Sequence, residues 1–397
     1  MHRYRGLLGV GLLLLGGLIV VFLALDRSAA RSEPVAFATS TPEPIVPTRT
    51  SPAAVVTRTL SPTSARQGTA VPRVSSTLTP VGSAVTPMLP GAAPFWTGRP
   101  RWGVGVVSGP ISRYDVEPLR LGWYLDWQAR AAPVRPGGAL YAQMVRLGGG
   151  QLRPAAEQIA AIAQANPGSL WLVGNEPDVK WQDNVPPATY AQLYHDAYAA
   201  IKGADPTALV AIGGVSQPTP LRMRYLDLVL ASYRVQFGVE MPIDVWNVHG
   251  FVLREERGSW GVNIPPGMAD DRGMLYEIAD SGNLEAFKRQ IVDFRRWMAQ
   301  RGYQDWPLIV SEYGILMPAD YGFPPEVVIS FMTASFDFFL TTADPAVGYP
   351  ADGNRLVQMW CWYSLDAPAD YYPTGNLFDP EMGGMTAVGQ AWTDYVR

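Results

Sequence analysis

Short apolar or aromatic runs alternate with segments of helical period along residues 101–397. Eight runs read as buried strands: 101–107, 121–128, 140–148, 170–176, 208–215, 243–251, 307–314 and 356–365. Between them, "PAAEQIAAIAQAN" from Pro154, "PATYAQLYHDAYAAIKG" after a Pro-Pro start, "LRMRYLDLVLASY" and "LEAFKRQIVDFRRWMAQRG" place apolar residues at i, i+3 and i+4. "PEVVISFMTASFDFFLTT" and "MTAVGQAWTDYV" complete the helical set. The alternation predicts an α/β fold, a (β/α)8 TIM barrel of parallel strands with short early crossovers, because little chain separates the first three strands. A doubly wound open sheet is the alternative, but no G-x-G-x-x-G follows the first strand.

The pattern changes before residue 95. Residues 1–30 hold Arg3 and Arg5, then an uncharged apolar stretch from Gly6 to Leu25, long enough for a membrane helix. This reads as an uncleaved anchor, with a cleaved signal peptide as the alternative, since Ser28 and Ala30 suit cleavage. Residues 31–94 are rich in Pro, Thr and Ser, nearly free of aromatics and without apolar period, so they are expected to be a disordered linker. Arg49, Arg58, Arg66 and Arg73 are spaced along it, and no acidic residue lies between Glu43 and Asp115. A solvated tether explains that spacing, and weak attraction to an anionic surface polymer is the alternative. Residues 95–397 form the catalytic domain on this reading. It is expected outside the cytoplasm, membrane-anchored, or secreted if residues 1–30 are cleaved, and to act as a monomer.

A net charge of −4 leaves no basic patch for nucleic acid. The single Cys361 permits no intramolecular disulfide, and three His without an H-E-x-x-H or a Cys pair predict no transition-metal site. No cofactor is expected.

In a parallel barrel, chemistry sits where strands end at the C-terminal face. The fourth run ends in Asn175-Glu176, the sixth in His249 and the seventh in Ser311-Glu312-Tyr313. By the period of two, Leu172, Gly174 and Glu176 share one inward row, and Leu308, Val310 and Glu312 another. One glutamate at a strand end is ordinarily a solvated edge or a cap. Two that face each other across a cleft are what glycosidic cleavage needs, one to protonate the leaving oxygen and one to attack or to activate water. A separation of about 5 to 5.5 Å goes with retention and about 6.5 to 9.5 Å with inversion. Asp178 reads as a cap for the following turn rather than a reacting group.

"WLVGNEPD" and "PLIVSEYG" resemble the paired signatures of the large clan of retaining glycoside hydrolases built on (β/α)8 barrels, clan A. The stretch "GWYLDW…PVRPGG…YAQMVRL" is similar to the Asl1-like glycosyl hydrolase catalytic domains, which include β-1,3-glucanases, and "GNLFDPEMGGMTAVGQAW" resembles the strand-eight exit of several families in the clan. The resemblance implies Glu176 as acid/base, Glu312 as nucleophile, Asn175 on the sugar 2-hydroxyl and His249 near the nucleophile. It also implies Trp362, or else Trp360, as the floor of a sugar subsite.

Pyranose C–H faces pack on aromatic rings. Trp123, Tyr124, Trp127 and Trp181 lie at or just past strand ends and are candidate platforms, with Tyr313 beside the nucleophile; each is also an ordinary core residue. Asp126 and Arg146 are candidate hydroxyl ligands or structural ion pairs, and Arg355 starts the eighth strand at the opposite, stabilising face. The long segment 253–283, with Trp260 and Tyr276, is expected to wall the cleft. The expected partner is a β-linked polysaccharide or oligosaccharide, β-glucan first, and the membrane through residues 1–30. Rival readings are a non-catalytic carbohydrate-binding or cell-wall-attachment barrel, and a Mg²⁺- or Ca²⁺-dependent barrel enzyme, which needs three or more acidic ligands.

Overall fold

In the computed structural model, which describes residues 94–369 and 371–397, every predicted apolar run contains strand, each shorter than the run itself. The strands are β1 (Trp102–Gly105), β2 (Trp123–Leu125), β3 (Leu140–Tyr141), β4 (Gln143–Val145), β5 (Leu170–Asn175), β6 (Leu209–Gly214), β7 (Trp246–Gly250), β8 (Leu308–Tyr313) and β9 (Met359–Trp362). β3 and β4 are one predicted run divided at Ala142, so nine strands occupy eight positions. The apolar stretch 1–30 and the Pro/Thr/Ser-rich segment to residue 93 lie outside the described residues. Among the described residues no helix is long and apolar enough to cross a membrane.

All ladders are parallel. β3, β2, β1, β9, β8 and β7 pair in that order, and β4, β5 and β6 form a second run. The bridges Ala211↔Val245 and Val215↔Val248 join β6 to β7, and the shared segment around Ala142 joins β3 to β4, which closes the ring.

The helices α1 (Ala156–Ala165), α2 (Pro187–Ala204), α3 (Pro220–Phe237), α4 (Leu284–Gln300), α5 (Pro325–Thr341) and α6 (Ala387–Val396) follow β4, β5, β6, β7, β8 and β9. Local sequence sets their starts. Proline occupies the first position of α2, α3 and α5, where its missing N–H costs nothing, and the Asn283 side chain accepts Ala286 N at 3.0 Å to cap α4. Only 3₁₀ turns, two before β2 and one before β3, cross between the first three strand positions, as the short spacing predicts.

Two apolar layers result. The outer one packs Trp171, Val173, Val210, Trp246, Val248 and Val310 against the helices. The inner one fills the barrel with Trp123, Leu125, Met144, Leu172, Val245, Ile309, Met359 and Cys361. This assignment corrects both predicted rows: Leu172 faces inward, but the Gly174 position faces Leu147 and Tyr190 of the outer layer. Leu308 and Val310 face the helices, and Ile309 faces inward.

Candidate active site

Glu312 nevertheless points into the barrel, because β8 carries a bulge. Val248 pairs with Val310 but His249 pairs with Glu312, and Val310 pairs with Trp360 while Tyr313 pairs with Trp362, so Ser311 is an extra residue on β8. The insertion reverses the alternation: Glu312 turns inward and Tyr313 turns outward onto Phe287 and Phe339. Glu176 arrives differently. It stands one residue past β5 with φ 41°, a left-handed conformation that few non-glycine residues adopt, and its N–H donates to Gly214 O at 3.0 Å.

The turn after β5 is held from both sides. Asp183 accepts Asn175 N at 2.8 Å, Leu147 N at 3.0 Å and Arg146 Nε at 2.8 Å. Asp178, fully buried, takes Arg222 Nε at 2.6 Å and the Ser216 hydroxyl at 2.8 Å. It therefore anchors the turn to α3 and to the end of β6 rather than capping the turn itself. Arg146 is likewise a structural ion-pair partner.

Glu176, His249 and Glu312 converge, with one ligand atom of each lying within 4.8 Å of the others. His249 Nδ1 is 3.0 Å from Glu176 Oε1, and Nε2 is 3.5 Å from Glu312 Oε1. The two ring nitrogens thus face different carboxylates. Trp127 Nε1 donates to Glu312 Oε1 at 2.6 Å. Glu176 is 8% exposed and Glu312 6%, so both carboxylates are largely out of water yet reach the cavity.

Burial pushes the Glu312 carboxyl up to about 7; Glu176 adds to this, while His249 and the Trp127 N–H oppose it. Burial alone would depress the His249 imidazole, but the charge of Glu312, followed by the hydrogen bond and charge of Glu176, leaves it above its ordinary value.

A cavity of about 490 Å³ opens over the pair. Trp127, Asn175, Trp181, Gln182, Tyr363 and Tyr372 line it, and Phe251, Leu253, Trp260 and Val262 make one wall. That wall belongs to the long segment after β7, with Trp260 on the cavity and Tyr276 packed on the outer core instead. Arg222 holds the wall. Its guanidinium pairs with the buried Glu255 and donates to Val262 O at 3.1 Å and Asn263 O at 3.2 Å.

Several predicted binding residues lie elsewhere. Trp360 and Trp362 face the helices, against Phe339 and Phe331, because Cys361 and Tyr363 take the inward positions of the alternation. Trp123 is buried deep in the barrel, its Nε1 donating to Trp360 O at 3.0 Å. Tyr313 lies on the outer layer, and the Tyr124 hydroxyl donates to Val134 O at 2.5 Å. Asp126 pairs with Arg130 at 2.6 Å and accepts the Tyr141 hydroxyl, away from the cavity. Arg355 contacts Asp352 at 3.7 Å, outside the site. Asn175, His249, Trp127 and Trp181 stand at or beside the pair. Tyr363, Phe251 and Tyr372 are additional lining residues, and the alternation through Met359, Cys361 and Tyr363 carried the signal for the first of them.

No family model matches the chain, and no curated protein matches it. Solved structures share its fold, among them two β-glucanases. A GH128 (subgroup II) endo-β-1,3-glucanase from Sorangium cellulosum aligns with a TM-score of 0.50 at 17% identity, over 75% of this chain and 98% of that one. A GH128 (subgroup II) endo-β-1,3-glucanase from Pseudomonas viridiflava aligns with a TM-score of 0.50 at 18% identity, over 74% and 96%. At these identities the likeness is one of fold.

Proposed function

We propose that this chain is a glycoside hydrolase that cleaves β-linked glucan by double displacement with retention. The observation that carries the reading is the approach of Glu176 and Glu312 within 4.8 Å at the mouth of a parallel barrel. That spacing fits the retaining geometry of about 5 to 5.5 Å better than the wider inverting one.

Glu312 is the nucleophile. Its Oε1 is held as an acceptor by the Trp127 N–H, so a lone pair of the carboxylate attacks the anomeric carbon as the glycosidic C–O bond breaks. Glu176 gives its proton to the leaving oxygen and then takes one from water. The water oxygen bonds to the anomeric carbon, and the Glu312 carboxylate departs. His249 Nδ1 is hydrogen-bonded to Glu176, and its Nε2 lies 3.5 Å from Glu312.

The β-1,3-glucan preference rests on the activities of the two fold neighbours and on the motif resemblance, including that to the Asl1-like group. A membrane-tethered, extracytoplasmic placement rests on the apolar residues 6–25 and their basic flank. Glu176→Gln and Glu312→Gln, assayed on β-1,3-, β-1,4- and mixed-linkage glucans, test the assignment. Each is expected to lose more than about 99% of turnover while keeping the fold; near-normal turnover in both overturns it.

A further inference from the structure

Trp127 is placed with more care than a sugar platform requires. It has φ 57°, a left-handed conformation unusual for a bulky side chain. Both neighbours are pinned by the Tyr141 hydroxyl, which donates to the Asp126 carboxylate and lies 2.8 Å from Gln128 O. Gln128 O also accepts Met144 N at 2.9 Å, and Asp126 is locked by Arg130. The indole has space only because residue 105 is glycine: a Cβ there would sit 2.7 Å from the ring. Tyr363 closes the other side, edge to face at 6.0 Å. All of this aims one N–H at one oxygen, Oε1 of Glu312, at 2.6 Å.

We propose that Trp127 is a positioning residue whose indole N–H holds the Glu312 carboxylate ionised and fixed for attack on the anomeric carbon. The inference rests on the reading of Glu312 as nucleophile. The groups around Glu312 explain why such a donor matters. Glu176 repels its charge, His249 and the more distant Arg146 attract it, and Cys361 and Tyr363 are neutral neighbours buried beside it. Trp127 supplies a fixed donor that carries no proton of its own to titrate. A hydrogen bond to a charged acceptor in a dry site is among the stronger ones, so its loss disfavours the ionised form.

Trp127→Phe keeps an aromatic ring and removes the N–H. In the full-length chain this variant is expected to lose about 10- to 100-fold in kcat with KM within about threefold. The acidic limb of its kcat/KM profile is expected to move up by about one pH unit, because Glu312 then holds its proton more tightly. A raised KM with an unmoved limb means that the ring is a substrate platform, and near-normal kcat means that the N–H is idle; either overturns the proposal. A second readout needs no turnover. With ¹⁵N-tryptophan, the indole resonance missing in Trp127→Phe is expected to shift with pH in the wild-type chain and to stop titrating in Glu312→Gln. An indole signal indifferent to Glu312 overturns the hydrogen bond, whereas wild-type chain inactive on every glucan, with the titration present, overturns the glycosidase reading alone.

Discussion

His249 Nδ1 lies 3.0 Å from Glu176 Oε1, with the imidazole completely buried. Glu176 therefore has a titratable partner already in contact before any substrate arrives. Because the same ring reaches toward Glu312 at 3.5 Å, its removal leaves two buried carboxylates facing each other unscreened. His249→Ala is expected to lower kcat/KM by about 10²- to 10³-fold, in the range of other acid–base perturbations. Steady-state kinetics on a soluble β-glucan checks this, with circular dichroism confirming the fold.

The raised Glu312 carboxyl has a consequence for stability. A carboxyl whose folded value exceeds its unfolded one contributes fully below the ordinary glutamate range and loses that contribution as pH rises through about 7. The cost of keeping it charged above pH 7 is on the order of 3 kcal/mol. Glu312→Gln is therefore expected to raise Tm at pH 8 and to change it little at pH 4. Thermal denaturation at the two pH values checks the sign; stabilisation that is larger at pH 4 contradicts it.

Catalysis has the opposite dependence. Glu312 must be ionised to attack, and burial holds its carboxyl up at about 7. Accordingly kcat/KM is expected to fall as pH drops below about 7. A profile flat down to pH 5 is the contrary outcome.

Arg222 joins Asp178 behind the acid/base turn to Glu255 in the cavity wall, and all three are fully buried. Removing Arg222 strands two carboxylates without their cation in a dry interior, which costs about 3–5 kcal/mol. Arg222→Met is expected to lose that much stability in urea denaturation. It is also expected to raise KM, because Trp260 rides on the wall that Arg222 holds.

The aromatic residues separate into two classes that mutagenesis can distinguish. Trp181 is 56% exposed and Tyr372 46% exposed, both on the cavity. Trp181→Ala and Tyr372→Ala are expected to raise KM about 3- to 10-fold, with little change in Tm. Trp362→Ala is expected to destabilise by about 3–5 kcal/mol, because its ring fills the layer between β9 and α5. Thermal melts and Michaelis kinetics on the three variants check the division.

Much of this was legible in the chain. The eight apolar runs located every strand position, and the shortness of the first connections foretold crossovers without α-helices. The ends of the runs put Glu176, Glu312 and His249 together. What the pattern could not carry was the change of phase within a strand. Strict alternation through 308, 310 and 312 put Glu312 inward for the wrong reason; the extra Ser311 turns it inward, and a bulge has no signature in hydropathy. For the same reason the two tryptophans of β9 looked like a sugar floor, although the inward phase runs through Cys361 and Tyr363. Asp126 and Arg146 illustrate a different blindness. A charged residue near a strand end suits substrate or a neighbouring ion equally well, and only the positions of Arg130 and Asp183 decide.

The central claim is that Glu176 and Glu312 act as a retaining pair. It is tested most directly by ¹H NMR of the anomeric protons during the first minutes of β-1,3-glucan cleavage by the full-length chain. Retention predicts that the β-anomer of the new reducing end appears first and only then mutarotates. Initial appearance of the α-anomer would contradict the account.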